Sequence, residues 1–399
     1  MPGLPNRVRP VVQLADDLER IIRRRSGIDE ADVARVAAAV RRLSDQLAGK
    51  AAWDPDWSDD PELRAAYLAY FVPMNLPRLR VPLAPWLASR SLAGRTLRCL
   101  DLGAGAGAAL LGLCDVLRGL PPGERPAALE IVAADRSGES LRDAQAMLEE
   151  FAAIEPGLPP ITFDALCLDL VTDQAVLVPL ARVRGRFDLV IAANVLGELV
   201  RSAGGDLGTA EHLVLEATRE LLDPRGAVAL LEPGLRESAR TLERLRDRWL
   251  ATGELHVHAP CVHEDPCPAL ATRRDWCIVD LAWCPPPLVE AVDRVGGLDR
   301  RTLKFAYLLL SPEAAAAPVE DKWRVVSDVL DLKGERRVYL CGNGRWIVLR
   351  DLKREPSPSG EALGRLRRGD CVEIEGLEPA GTLFRIAPGG RLRVVDPTD

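Results

Sequence analysis

The sequence predicts an α/β protein with a Rossmann-like parallel sheet, preceded by a helical region and followed by a small β-rich, barrel-like domain. Three observations predict this fold class. An apolar segment, 97–102, runs into a glycine-rich turn and a helix-competent segment; strand-length and helical segments then alternate; and the last part of the chain changes to short strands between glycines and charged turns. Alternating strands and helices build a parallel sheet with helices on both faces. We expect domains at 1–90, 91–312 and 313–399, with a cysteine-rich insert at 256–284.

The composition limits the class of protein. The chain has 399 residues, of which 47% are hydrophobic, and a formal net charge of −7. This length accommodates two or three domains, and the negative charge excludes a basic field over the whole surface, so a nucleic-acid contact needs a local patch. No apolar run reaches the length of a membrane span, and the first residues lack the apolar segment of a secretion signal. We expect a cytoplasmic protein with neither a membrane nor a DNA partner.

The first 90 residues follow helical spacing. Apolar residues recur every three or four positions across 8–50, with Asp29 as the N-cap of the second helix, and again across 61–72. The segment 72–77, Val-Pro-Met-Asn-Leu-Pro, is expected to break that helix, because proline lacks the amide hydrogen that a helix interior needs. This pattern is typical of a small helical domain or a lid.

Strand-length apolar segments define the central domain. They are expected near 97–102, 129–134, 161–168, 187–193 and 227–231, with two later strands near 276–283 and 304–310. Since no helix is predicted between the last two strands, we expect an antiparallel edge on that side of the sheet. Cys99, Cys114 and Cys167 stand singly in apolar segments and are expected to be core thiols.

Three glycines, Gly103, Gly105 and Gly107, occupy alternate positions after the first strand, which ends near Asp101. Glycine lets the backbone approach a ligand closely, and the next helix directs its N-terminus at that ligand. A dinucleotide fingerprint would place its third glycine at position 108, and Ala108 satisfies the looser form, so spacing alone leaves the cofactor open. An acid so close to the turn would repel a pyrophosphate, which argues against a dinucleotide.

The sequence Asp101-x-Gly-x-Gly-x-Gly resembles the first motif of class I S-adenosylmethionine-dependent methyltransferases. The resemblance implies that Asp101 helps to hold the amino-acid part of S-adenosyl-L-methionine (SAM), directly or through a water. It also implies that Asp135, ending the second strand, binds the ribose hydroxyls, that Asp169, after the third, contacts the adenine amino group, and that Asn194, ending the fourth, faces the methyl-donor pocket. Ligands of such sheets lie at the carboxyl ends of the strands.

The sequence assigns no catalytic residue. The segment 194–197, Asn-Val-Leu-Gly, lacks the prolines and the aromatic residue that amine methyltransferases often carry at this place. No cysteine stands near the fourth strand to act as a nucleophile on cytosine C5. Glu198 and Glu232 could assist a proton transfer, but a structural role fits their positions equally well.

A second group of residues indicates metal chemistry. Cys261, Cys267 and Cys277 are separated by six and ten positions, with prolines in the loops, and three of the four histidines fall in 256–263. Clustered thiols in a reducing compartment favour a metal over a disulfide. The paired Cys-x-x-Cys of zinc sites is absent, so the wide spacing favours an iron–sulfur cluster, with zinc as the alternative. The fourth ligand is open among Cys341, Cys284, His263 and Cys371.

The tail predicts a small sheet or barrel. Short strands are expected at 337–341, 345–351, 370–375, 382–386 and 391–395, after a linker at 314–318. Basic residues concentrate between positions 333 and 368, which is typical either of a solvated surface or of a patch that faces nucleic acid. The negative charge of the whole chain makes the second interpretation more plausible.

Several segments together resemble the ribosomal small-subunit methyltransferase-like family, whose bacterial and mitochondrial members include small-subunit assembly factors of the methyltransferase-like protein seventeen type. The resemblance covers residues 60–350, and the cysteine segment is its most specific part. The segments that carry it are 70–77, 100–107, 194–199, 231–234, 259–268, 275–277 and 304–308.

This resemblance implies a 4Fe–4S cluster on Cys261, Cys267 and Cys277, with Cys341 as the fourth ligand. It implies association with the small ribosomal subunit and its rRNA, and either rRNA methylation or a role in subunit assembly without catalysis. A small-molecule methyltransferase with a structural zinc site is a third hypothesis.

Overall fold

The computed structural model describes residues 11–173, 177, 183–298, 300–314, 322–355 and 358–395. Its N-terminal part is helical apart from one short strand. Asp29 caps the 3₁₀ turn that leads into the second helix, where its carboxylate accepts a hydrogen bond from Ala31 N at 2.8 Å. The elements are β1 (Val12–Gln13), α1 (Asp16–Ser26), α2 (Val33–Leu47), α3 (Pro61–Ala66), α4 (Val72–Asn75) and α5 (Arg80–Ala88).

The expected helix break at 72–77 is wrong. A π-helical turn (Tyr67–Phe71) joins α3 to α4, and a 3₁₀ turn (Leu76–Leu79) joins α4 to α5, so the chain stays helical across this region. Pro73 and Pro77 lie in the first turn of new helical segments, where the amide hydrogen that proline lacks would have no helical partner. The prolines therefore change the helix type without ending the helical path.

The central domain alternates strands and helices. None of the helices in the described residues is long and apolar enough to cross a membrane. The strands are β2 (Thr96–Leu102), β3 (Ala128–Asp135), β4 (Ile161–Cys167), β5 (Phe187–Ala193), β6 (Leu222–Pro233), β7 (His256–Ala259), β8 (Val279–Cys284) and β9 (Thr302–Ser311). The helices are α6 (Ala108–Gly119), α7 (Gly138–Ile154), α8 (Leu196–Ser202), α9 (Gly208–Glu216), α10 (Arg236–Ala251) and α11 (Pro287–Gly296).

One sheet runs through this domain in the order β1-β8-β9-β6-β5-β2-β3-β4, with β7 paired to β9. The strands from β6 to β4 are parallel, whereas β9 runs antiparallel between β6 and β8. The predicted Rossmann-like sheet with an antiparallel strand on this side is confirmed. The prediction that no helix separates the last two strands of this domain is wrong, because α11 lies between β8 and β9. Helix α11 packs against α2. Helix α11 begins at Pro287, and proline is favoured at the first position of a helix.

Apolar side chains cover both faces of the sheet, because successive strand residues point to opposite sides. On β2, Leu97 and Cys99 pack with α6 and the N-terminal helices, whereas Leu100 and Leu102 pack with α10. Cys99 and Cys114 are buried thiols as expected. Cys167 is exposed, contrary to expectation, because it ends β4 at the edge of the sheet.

The C-terminal part forms a second sheet, in the order β10-β14-β15-β13-β12-β11, and β10 also pairs with β12, which closes a ring. The expected barrel-like sheet is confirmed, although the expected strands at 382–386 and 391–395 are a single strand. Apart from Ala314, the predicted linker lies outside the described residues. The elements are β10 (Lys322–Val325), β11 (Leu330–Leu332), β12 (Glu335–Gly342), β13 (Arg345–Leu352), α12 (Pro358–Leu363), β14 (Cys371–Ala380) and β15 (Leu383–Val395).

Candidate functional site

The glycine turn after β2 forms one wall of a large cavity. Gly103, Gly105 and Gly107 have φ angles of 75°, 49° and 77°, a region that residues with a side chain rarely adopt. A Cβ atom on Gly103 would lie 2.5 Å from the Val195 side chain, and one on Gly107 would lie 2.7 Å from Ala144 Cβ. The nearest atom to a Cβ on Gly105 would be a carboxylate oxygen 4.0 Å away. Gly103 and Gly107 therefore pack tightly against the protein, while Gly105 has open space beside it.

The cavity has a volume of about 620 Å³, which is within the range of small-molecule sites. It brings together four of the predicted cofactor residues, Gly103, Gly105, Asp135 and Asn194. Helices of the N-terminal region and residues of β9 complete its walls. The N-terminal region is therefore a roof over the carboxyl ends of the parallel strands.

Asp101 is fully buried behind the turn, and neither of its carboxylate oxygens has a hydrogen-bond partner among the described residues. Burial, with Asp135 as a negative neighbour, raises the pKa of Asp101 to about 8. A buried carboxylate without a donor is costly, and such groups are normally matched by one. The ammonium group of the SAM amino-acid part has the required charge and donors, so Asp101 fits the predicted cofactor.

Asp135 connects the end of β3 to the glycine turn. Its Oδ2 accepts a hydrogen bond from Gly105 N at 2.7 Å, and its Oδ1 accepts one from Ser137 N at 2.9 Å. Burial raises the pKa of this carboxyl, although both backbone hydrogen bonds oppose the shift. A carboxylate has further acceptor positions, so Asp135 can hold the turn and still accept from ribose hydroxyls.

Asn194 ends β5 with an unusual backbone conformation. Its φ is 62°, a region where asparagine is one of the few tolerated residues with a side chain. Asn194 N donates to Leu231 O at 2.7 Å, and the residue lines the cavity. Backbone strain of this kind clusters at functional sites.

Asp169 does not line the large cavity. It lies in a separate surface hollow with Arg136 and Asp56, and its Oδ1 accepts from Val171 N at 2.7 Å. The nearest Arg136 guanidinium nitrogen is 4.0 Å from its carboxylate. Asp169 therefore lines a different hollow from the cavity that Asp135 and Asn194 share.

Two glutamates face the same cavity with different surroundings. Glu232 accepts hydrogen bonds from Leu196 N and Gly197 N at 2.9 and 3.3 Å, so it anchors the start of α8, and burial raises its pKa to about 7. Burial, with the negative neighbours Asp135 and Glu232, raises the pKa of Glu198 to about 8. Glu198 is therefore the better candidate for a proton acceptor, since a perturbed carboxyl in a ligand cavity is a functional signal.

The cavity also contains two arginines that the sequence did not predict. Arg78 lies over the Phe305 ring and Arg300 over the Tyr70 ring, with Cζ-to-centroid distances of 6.0 and 5.2 Å. Arg78 Nε has no hydrogen-bond partner among the described residues, and burial together with Arg300 lowers the pKa of Arg78 to about 10. The only sequence signal was the 70–77 segment of the family resemblance. Both arginines line the same cavity as Asp135, Glu198 and Glu232.

The structure gathers four of the predicted metal ligands around a second cavity. Cys261, Cys267 and Cys277 come from the segment between β7 and the start of β8, and Cys341 comes from β12. His263 also lines this cavity, and its Nε2 lies 3.4 Å from Cys341 Sγ. Of the other candidates for the fourth position, Cys284 is exposed at the end of β8 and Cys371 is buried in β14; neither lines the cavity.

Helix α10 orders the cysteine loops through its polar side chains. Cys267 N donates to the Asp247 carboxylate at 2.9 Å, and Cys277 N donates to Glu243 Oε1 at 2.6 Å. Arg246 donates to the carbonyl oxygens of His263 and Asp265 at 2.7 and 2.9 Å. Hydrogen bonds to helix α10 therefore position the cysteine loops.

Two buried cations accompany the thiols. Arg246 and Arg324 are only 1% and 3% exposed, and Arg324 Nε donates to Cys277 Sγ at 3.4 Å. Burial raises the pKa of the Cys277 thiol, whereas Arg324 acts in the opposite direction. Within the described residues, no group of three or more His, Cys, Asp or Glu side chains is arranged to hold one metal ion.

The strand order, the glycine turn and the cavity at the strand ends define a class I SAM-dependent methyltransferase fold. Within this class, the chain belongs to the family described as mitochondrial small ribosomal subunit Rsm22, whose sequence model matches residues 65–347. The predicted family is thereby confirmed. The description of the family names mitochondria, so the cytoplasmic location expected from the sequence stays a prediction.

Solved structures resemble the chain at low identity. A putative class I SAM-dependent methyltransferase from Listeria monocytogenes is 13% identical, with 76% of this chain and 90% of that chain covered and a TM-score of 0.36. A SAM-dependent methyltransferase from Leishmania major is 14% identical, with 66% and 83% covered and a TM-score of 0.36. A comparison with curated proteins found no match.

Proposed function

We propose that this protein binds SAM in the cavity above the strand ends and acts with the small ribosomal subunit, as an rRNA methyltransferase, an assembly factor, or both. SAM binding is supported above all by the buried carboxylate of Asp101, which has no hydrogen-bond donor among the described residues. The partner rests on membership of the Rsm22 family. In this proposal the domain boundaries lie at 1–90, 91–312 and 313–399.

The proposed cofactor contacts follow the strand ends. Asp101 holds the amino-acid part, Asp135 binds the ribose hydroxyls, and Asn194 borders the methyl-donor end. Gly103, Gly105 and Gly107 shape the turn, and Gly105 leaves the space for the ligand's closest approach. Asp169 reaches the adenine only if the hollow around it joins the main cavity when the ligand binds, so its role is the least supported of the set.

We further propose a 4Fe–4S cluster on Cys261, Cys267, Cys277 and Cys341. Its support is that these thiols line one cavity beside Arg246 and Arg324. A four-thiolate cluster is an anion, and buried guanidinium groups offset part of such a charge. Zinc is the alternative metal for these thiols. A bound cluster would join the 261–277 loops to β12 and add its binding free energy to folding.

A non-catalytic assembly factor is the second candidate. The segment after β5 lacks the prolines and the aromatic residue of amine methyltransferases. Glu232 already accepts hydrogen bonds from two backbone amides, so Glu198 is the better proton acceptor of the two glutamates. A protein that binds SAM and the small subunit without transferring a methyl group would support this candidate.

Calorimetry with SAM tests the cofactor proposal. Replacing Asp101 with Asn removes the charge that pairs with the ligand's ammonium group, and we expect SAM affinity to fall about tenfold or more. Asp164→Asn, on the outer strand β4 where the aspartate pairs with Arg184, is the matched control and should bind normally. Absence of SAM binding by the unmodified protein would contradict the proposal.

Two further measurements test the partner and the cluster. The unmodified protein should sediment with the small subunit in a salt-sensitive manner and carry rRNA when purified. Anaerobic preparations should be brown and contain iron. A colourless protein that contains zinc and associates with no ribosomal RNA would instead support a small-molecule methyltransferase.

A further inference from the structure

The C-terminal ring has a specific connectivity. Five strands, taken as β10, β12, β13, β14 and β15, close in the order β10-β12-β13-β15-β14-β10. All neighbours are antiparallel except β13 and β15, which are parallel. Helix α12 lies between β13 and β14. A five-stranded Greek-key barrel with this order, and with its helix between the third and fourth strands, has the topology of the oligonucleotide-binding (OB) fold.

OB barrels bind their ligands across the outer face of the second and third strands, between the loop after the first strand and the loop after the fourth. In this chain the second and third strands are β12 and β13. The two loops are 326–334, which contains β11, and 381–382 between β14 and β15. The topology alone therefore indicates that a ligand of this barrel would bind on the outer face of β12 and β13.

Strand alternation separates the two sides of β12 and β13. Val338 and Leu340 on β12, with Ile347 and Leu349 on β13, fill the barrel core. The intervening residues point outward as three cross-strand pairs, which are Arg337 with Arg350, Tyr339 with Val348, and Cys341 with Trp346.

The two ends of this outer face have different surroundings. Cys341 and Trp346 line the cysteine cavity, so the central domain covers that end. Tyr339 is 38% exposed, so part of its ring faces solvent. The open part of the face therefore consists of Tyr339 and Val348, together with the arginine pair beyond them.

The open part has the chemistry of a single-strand binding surface. An exposed aromatic ring stacks on a base, and neighbouring guanidinium groups hold phosphates. Arg350 Nε has no hydrogen-bond partner among the described residues, whereas Arg337 pairs with Glu335 on the same strand. The face therefore carries one arginine, Arg350, that no acidic residue of the face neutralises.

The charge of the whole barrel agrees with this assignment. Residues 322–395 contain fifteen Lys and Arg against ten Asp and Glu, although the complete chain has a net charge of −7. The flanking residues 313–321 and 396–399 add five Asp and Glu, so the excess of positive charge is confined to the strands and loops of the barrel, where it attracts nucleic acid.

We propose that the outer face of β12 and β13 binds single-stranded RNA, with Tyr339 stacking on a base and Arg337 and Arg350 contacting phosphates. This inference deepens the proposed function, because it identifies the surface and the conformation of RNA that the ribosomal role requires.

Fluorescence anisotropy with a labelled oligouridine tests the proposal on the full-length protein. Tyr339→Ala should weaken binding by about fivefold to a hundredfold, the usual effect of losing one stacked base. Tyr339→Phe keeps the ring and should bind like the unmodified protein, which separates stacking from a general disturbance of the strand. Arg350→Gln should reduce the slope of log affinity against log salt by about one.

Arg294→Gln on α11 is the control for loss of a charge, because this arginine is exposed and pairs with Glu290 far from the barrel sequence. Unchanged binding by Tyr339→Ala, or equal loss in Tyr339→Ala and Tyr339→Phe, would overturn the assignment. If Tyr339→Ala lost its association with the small subunit but bound oligouridine normally, the RNA assignment would also be overturned. The face would then contact a ribosomal protein. SAM calorimetry and sedimentation of the unmodified protein report separately on the proposed function.

Discussion

The charged residues in and behind the large cavity differ in how far the sequence predicts them. Asp101 follows from the sequence because an acid before three alternating glycines is a local pattern. The sequence names Glu198 only as a residue that could assist a proton transfer, and it does not single out Arg78 or Arg300, because their environment arises only when distant segments meet over the strand ends. Local motifs therefore predict the glycine turn and its acids, and tertiary packing supplies the two arginines.

Asp101 gives a prediction about pH and stability. Its folded-state pKa of about 8 lies above the ordinary value of 3.8, so protonation favours the folded state. This contribution is complete below about pH 4 and is lost as the pH rises to about 8. Without SAM, Asp101→Asn should therefore raise the free energy of unfolding at pH 8 by at least about 1.4 kcal/mol, and by much less at pH 4.

Urea unfolding at the two pH values measures this difference. Asp164→Asn should show no comparable dependence on pH. Equal effects of Asp101→Asn at both pH values would show that Asp101 is already paired in the free protein. The same substitution is expected to stabilise the free protein and to weaken SAM binding, which distinguishes a ligand-binding residue from a structural one.

Two glycines of the same turn should respond differently to alanine. Gly103→Ala forces a Cβ to within 2.5 Å of Val195, so it should destabilise the fold by about 1–3 kcal/mol through overpacking. Gly105→Ala meets no close atom, and its main effect should be a loss of SAM affinity of tenfold or more, with about 1–2 kcal/mol of backbone strain. Thermal unfolding and calorimetry on both variants check this contrast; equal SAM affinity in Gly105→Ala and the unmodified protein would contradict it.

Among the elements, α10 does the most to organise the cysteine loops. The sequence did not predict that polar residues of this helix would be buried against the insert. A usable signal was present, because Arg240, Glu243, Arg246 and Asp247 recur every three or four positions just before the cysteines. The prediction that 72–77 breaks the helix was wrong for a related reason. Whether a proline ends a helix depends on where the helical segment begins, which the local sequence does not show.

Removing one cysteine of the cavity tests the cluster at this scale. Cys261→Ser should abolish the brown colour of anaerobic preparations and lower the melting temperature, because a ligand that ties the loops to β12 is lost. Cys284→Ser is the matched control, because Cys284 is exposed and outside the cavity. Equal iron content in both variants would remove Cys261 from the ligand set.

At the scale of the whole molecule, the three regions share their sites. The roof comes from the N-terminal region, the donor turn from the sheet, and one cysteine of the second cavity from the barrel. The sequence predicted each region from its local periodicity. It could not predict their mutual packing, because contacts such as those between α2 and α11 join segments that no local pattern relates.

The roof also determines the order in which the chain can complete its fold. β1 pairs with β8 through Val12 and Trp283, and Tyr70 donates to Asp293 across 223 positions of sequence. During synthesis the N-terminal residues emerge first, so the roof helices await partners that are made only after most of the central domain. Contacts of such high sequence separation close slowly. The donor cavity is therefore among the last parts of this protein to form, and a nascent chain shorter than about 300 residues has a donor turn without a finished roof.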